Sequence, residues 1–169
     1  MSDKFEKQKV SEYVANLLSN NSYIDDNFKS IKEWLFDKDN IYGQLNFPAK
    51  DASSAEEEFT KLAKNNRLQA YLLIKQYAKN LANNHKKCAP SIFEKNLIYL
   101  QELFGLKEYE KELLGLLIRY DRQESFYDTL KNISNSNICD TNNKALALGI
   151  SADKVYSAFR KNSTLEQLG

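Results

Sequence analysis

The sequence predicts an all-α protein, and three observations carry that expectation. Only five Gly and two Pro occur in 169 residues, too few for the turns of a sandwich or barrel. Apolar residues recur at three and four positions through most of the chain, and almost no stretch alternates between apolar and polar. The 42% hydrophobic content is enough for a core, and the length suits one large helical domain or two smaller ones.

Residues 4–18 place Phe5, Val10, Tyr13, Val14, Leu17 and Leu18 mostly on one helical face, and Asn20, Asn21 and Ser22 are read as its end. Phe28, Ile31, Trp34 and Leu35 then mark a second amphipathic helix. Residues 37–51, with Gly43 and Pro48, show no period and read as a long connection. Ser53 and Ser54 followed by Glu56 and Glu57 form a capping-box signature for a third helix, with Phe59 and Leu62 inward. Asn65 and Asn66 break the pattern. It resumes from Leu68 through Tyr71, Leu72, Ile74, Tyr77, Ala78 and Leu81 until a polar loop at residues 83–87.

Ser91 opens the next helix, with Phe93, Leu97, Leu100, Leu103 and Phe104 expected inward and Gly105 as its stop. Residues 106–120 follow as a nearly apolar helix, then a shorter one carrying Phe126, Tyr127, Leu130 and Ile133. A few residues of strand are expected at 137–140. Ala145, Gly149 and Val155 have the spacing of a helix-turn-helix, in which a small residue permits close approach and a glycine takes the positive φ of the turn. The second helix of that unit is expected over 152–161. The composition shift at residues 85–90 divides the chain into an N-terminal helical module, residues 1–88, and a winged-helix-like unit, residues 89–169.

Charge and chemistry narrow the function. The 24 Lys and Arg nearly cancel the 23 Asp and Glu, so no general field favours nucleic acid or an anionic membrane. No run approaches the ~18 apolar residues of a membrane span, and the N-terminus lacks an apolar secretory core, so a cytoplasmic location is expected. Cys88 and Cys139 read as free thiols in a reducing compartment. His85 is the only histidine; His85 and Cys88 have a chelating spacing, but no second pair completes a metal site, and no metal is assigned. All five glycines are isolated, so no phosphate-binding loop exists and no cofactor or catalytic residue is assigned. The acidic groups around Glu56 and around Glu108, Glu110 and Glu112 are read as helix-dipole complements and solvated charge. Most of the ten Tyr and nine Phe fall at core spacings; Tyr23, Tyr42, Phe47 and Tyr120 are the exceptions, and they are candidate partner contacts.

If the helix-turn-helix reads DNA, Lys154, Ser157, Arg160 and Lys161 would make the contacts, though Asp153 would oppose the nearest phosphates. The wider segment points elsewhere. Phe104-Gly105-Leu106, Glu110 and Leu113-Leu114, then Leu146, Gly149, Ile150, Val155 and Ser163-Thr164-Leu165, resemble the winged-helix-like segment ahead of the ATPase core in a family of bacterial AAA ATPases. The resemblance covers residues 103–169. It implies a non-catalytic N-terminal region of a longer protein, ending where the wing and ATPase module would begin. The nucleotide-binding residues of that family have no matching positions here, and residues 1–85 would recognise a client or adaptor. A transcription-regulator module is the first alternative, and a small helical adaptor or effector acting through protein contacts is the second.

Overall fold

The computed structural model describes residues 4–37, 51–84, 88–135, 138 and 140–168, and these residues contain eleven α-helices and no strand. In chain order they are α1 (Lys4–Leu18), α2 (Asn21–Asp26), α3 (Phe28–Phe36), α4 (Ala52–Asn65), α5 (Arg67–Asn84), α6 (Ile92–Phe104), α7 (Glu108–Arg122), α8 (Glu124–Ser134), α9 (Thr141–Leu148), α10 (Ala152–Ala158) and α11 (Thr164–Leu168).

Local chemistry sets most boundaries. Asn20 accepts from the Tyr23 amide and starts α2, so the residues expected to end a helix instead cap a new one. Asp51 caps α4 by accepting from the Ser54 amide, which starts that helix earlier than the Ser53 and Ser54 signature implied. Asn66 separates α4 from α5 as the sequence suggested, whereas α5 continues through Asn83 and Asn84. Gly105 and Gly149 both have φ +64°. Each ends its helix in a Schellman turn, with Leu106 N–H donating to the Gln101 carbonyl and Ile150 N–H to the Ala145 carbonyl, both at 3.0 Å.

Helix α1 is central. It lies against α5 and α9, while α3 packs on α8 and α4, and α7 packs on α6 and α8. Val14, Leu17, Leu18, Ile24, Ile31, Leu35, Phe59, Ile74, Phe126 and Leu130 build the larger core, which draws on residues from both sides of the expected boundary at residue 88. Phe59 sits against Phe28 and Phe36, with ring centroids 5.8 and 5.7 Å away. A smaller core joins Leu113, Ala145, Val155 and Ala158, with Tyr109, Leu117, Ile150 and Leu165 at its margin.

The C-terminal unit departs from the expected plan. Helix α10 stops at Ala158, so residues 159–161 lie beyond it, and the Ser163 to Leu165 segment enters helix α11 rather than a closing strand. Asn162 has φ +69° and its amide donates to Glu166 Oε2, while Ser163 Oγ accepts from the Glu166 amide; these two bonds close the last turn as a helix start. Ile138 is buried in a 3₁₀ turn, not a strand; its neighbours at 137 and 139 fall outside the described residues. Among the described residues no helix is long and apolar enough to cross a membrane.

Candidate functional site

The densest cluster of buried charge lies where α1, α6 and α7 meet. Arg119 is on α7, which also buries Leu113 and Leu116, and its side chain is 1% exposed. Its guanidinium makes four hydrogen bonds. Nε donates to Glu6 Oε2 at 2.7 Å, Nη2 donates to Glu94 Oε2 at 2.7 Å and to Glu6 Oε1 at 3.3 Å, and Nη1 donates to the Tyr13 hydroxyl at 3.2 Å. The Phe93 ring lies under the guanidinium, 4.8 Å from its carbon, which adds a cation–π contact to the fork of hydrogen bonds.

The two carboxylates are held as firmly. Glu6 also accepts from Ser91 Oγ at 2.6 Å and from Gln123 Nε2 at 3.1 Å. Ser91 in turn caps α6 by accepting from the Glu94 amide, so one hydroxyl serves the helix start and the ion cluster together. The remaining Glu94 oxygen faces Lys111 Nζ at 3.4 Å, and Lys111 also reaches Glu108 at 2.8 Å and Glu112 at 3.1 Å. Lys9 on α1 closes the chain through Glu112 Oε2 at 3.1 Å.

Space for this arrangement comes from Gly115. A Cβ there would lie 2.8 Å from Arg119 Nη1 and 2.9 Å from Leu97 Cδ1, so only glycine lets the guanidinium fold back along its own helix. Burial alone would raise the Glu6 pKa, but hydrogen bonds from Arg119 and Ser91 overcome it and hold the carboxyl below its ordinary range. Burial would likewise lower Lys111 and Arg119, yet their carboxylate partners push both upward. Burial raises the Tyr13 phenol, which therefore stays neutral. Every shift favours the ion pairs as drawn. Chemically, the cluster ties three helices together through matched charge.

Of the carboxylates read from sequence as helix-dipole complements and solvated charge, Glu57, Glu58 and Glu108 are exposed, whereas Glu56 and Glu112 are half-buried and Glu110 is buried. Glu110 is 4% exposed because it accepts from the Lys107 amide at 2.8 Å and completes the α7 start. Glu112 is shared between Lys9 and Lys111. Sequence reasoning missed Glu6, Glu94 and Arg119 as a unit; an arginine inside the apolar run of α7 was the available signal.

Of the residues singled out beforehand, Ser157 and Arg160 line one open surface pocket with Asp153, Tyr156 and Phe159. Tyr23 is buried, not a surface contact: its ring enters the core and its hydroxyl donates to the Ile133 carbonyl at 3.2 Å. Tyr120 is half-buried and packs against Tyr127 with the rings tilted by 47° and their centroids 5.0 Å apart. Tyr42, Phe47, His85 and Cys139 lie outside the described residues. Cys88 is a free thiol 3.5 Å from Gln8 Oε1, and no group of three or more metal-ligating side chains occurs among the described residues. Lys154 and Ser157 are exposed on α10, where Lys154 Nζ sits 5.9 Å from the Tyr109 ring and Ser157 donates to the Asp153 carbonyl. Arg160 and Lys161 are exposed beyond the end of that helix.

Compared with family models, curated proteins and solved structures, the chain matches none.

Proposed function

We propose that this chain is a non-catalytic partner-recognition and regulatory module, the N-terminal region of a cytosolic AAA-type ATPase. The observation that carries the non-catalytic part is the Arg119 cluster, in which buried charge is matched pair by pair and serves to position helices. A recognition role is supported by α5, where Leu68 and Leu72 stand 64% and 51% exposed, one turn apart. Beside them Arg67 and Tyr71 both bond Asp25, a polar rim next to an apolar contact. The ATPase parent rests on the resemblance over residues 103–169, whose Gly105 and Gly149 have a definite task as left-handed helix stops.

Two measurements test this reading. The open reading frame is expected to continue past Gly169 into a phosphate-binding loop, and a stop codon close by would remove the ATPase parent. ATP turnover by the purified chain would overturn the non-catalytic assignment, because none of its isolated glycines can build a phosphate cradle.

A DNA-binding role is the second reading, favoured by the separate small core that joins α9, α10 and α7 around Val155 and Ala158. Lys154, Ser157, Arg160 and Lys161 would face the duplex. That reading expects retardation of random duplex that weakens steeply between about 50 and 200 mM salt. Absence of retardation at the lower salt would end it.

A further inference from the structure

Helix α6 divides its apolar residues between two faces, with Phe93, Leu97, Ile98 and Leu100 buried or half-buried. Leu97 is buried, but Ile92, Tyr99 and Leu103 are 79%, 63% and 58% exposed. At 100° per residue, Ile92, Asn96, Tyr99 and Leu103 fall within about 60° of one another, opposite Leu97 and Glu94. The inward face is filled by Leu97 and by Glu94 of the Arg119 cluster, with Phe93, Ile98 and Leu100 half-buried around them. The outward face is a row about three turns long, apolar except for Asn96, on a helix whose main packing neighbour is α7.

The charges beside that row indicate what covers it. Lys95 and Glu102 are both exposed, lie on the same flank of the row, and have no ion-pair partner among the described residues. They stand seven residues apart, about 10 Å along the axis. An isologous contact between two α6 helices, antiparallel about a twofold axis, keeps like flanks together. Centred midway between Lys95 and Glu102, such a pair sets Lys95 of each copy level with Glu102 of the other. The same centring puts the two Tyr99 rings across the axis and brings each Ile92 within about 3 Å of level with Leu103 of the second copy. Charge and apolar pattern agree on one register.

We propose that the exposed face of α6 is a self-association surface on which a second copy of this chain docks antiparallel, with reciprocal Lys95–Glu102 ion pairs flanking an Ile92, Tyr99 and Leu103 seam. The proposal stands apart from the ATPase reading and from the α5 face. One helix pair buries less than the roughly 1,200 Å² of a stable complex, so the dimer dissociates on dilution.

Sedimentation equilibrium on the whole chain, from low micromolar to near-millimolar concentration, is the test. The wild type is expected to fit a monomer–dimer equilibrium, and Leu103→Glu to abolish it with the far-UV circular dichroism unchanged. Lys95→Glu alone sets two like-charge contacts in the dimer and is expected to weaken association about tenfold. The double variant Lys95→Glu, Glu102→Lys restores the pairs with reversed sign and is expected to return to the wild-type constant. A wild type that stays monomeric throughout, association that survives Leu103→Glu, or a double variant no tighter than the single one overturns the proposal.

Discussion

Arg119 and Glu6 lie 113 residues apart in the chain, yet Nε and Oε2 meet at 2.7 Å inside the protein. This pair joins the first helix to the seventh, and Glu94 on the sixth helix shares the same guanidinium. Removing one partner leaves its opposite charge buried without compensation.

Arg119→Met is therefore expected to destabilise the fold by about 3–5 kcal/mol, well beyond the loss of packing alone. Urea unfolding at neutral pH measures it. A loss under about 1 kcal/mol would show that water reaches the carboxylates and that the cluster contributes little.

The pH dependence follows from the lowered Glu6 pKa. A carboxyl with a folded value below its unfolded value, about 4.3, contributes stability that is present above the unfolded value and is lost as pH falls through the folded one. The wild type should lose stability more steeply than Glu6→Gln as pH falls from about 5 to 3, because the amide has no proton to take up. Unfolding midpoints of both proteins across that range decide it; parallel curves would place the acid sensitivity elsewhere.

Gly115→Ala tests the close approach on α7. Alanine is the better helix former by about 1 kcal/mol, so an exposed site would gain stability. Here the added Cβ meets Arg119 Nη1 at 2.8 Å and Leu97 Cδ1 at 2.9 Å, and the guanidinium cannot swing away without breaking its bonds. A net loss of about 1–3 kcal/mol is expected, read from the same urea titration.

At Gly149 the cause is backbone conformation rather than crowding. The nearest side-chain atom to a new Cβ is Asn16 Nδ2 at 3.5 Å, an ordinary contact, but φ is +64°. Gly149→Ala is expected to cost about 1 kcal/mol and Gly149→Asn less, since asparagine tolerates the left-handed region. Thermal melts of the two variants should rank in that order.

Much of this molecule was legible along the chain. Periodicity located the helices α1, α3, α5, α6, α7 and α8, and Ser91 and Gly105 marked the ends of α6 and Gly149 the stop of α9, because caps act within a few residues. Errors gathered where a residue type has two uses. Asn20 both breaks and caps, and Leu103 and Phe104 satisfy the helical period while facing outward. The candidate site was almost invisible, since Glu6, Glu94 and Arg119 carry no local signal of one another.

The all-α class, the course of α1 and of α3 to α8, and two glycine-closed helix ends can be read along the chain, whereas α2 and α11 cannot. The legible parts follow from side-chain period and backbone stereochemistry, which are local. Only the tertiary structure decided that Tyr23 is buried, that Ser163 to Leu165 leads into a helix, and that α6 turns its apolar row outward. The physical reason is shared: each depends on which distant surface removes a group from water, and the inner face of α6 is occupied by Leu97 and by Glu94 paired with Arg119, which leaves Leu103 outside.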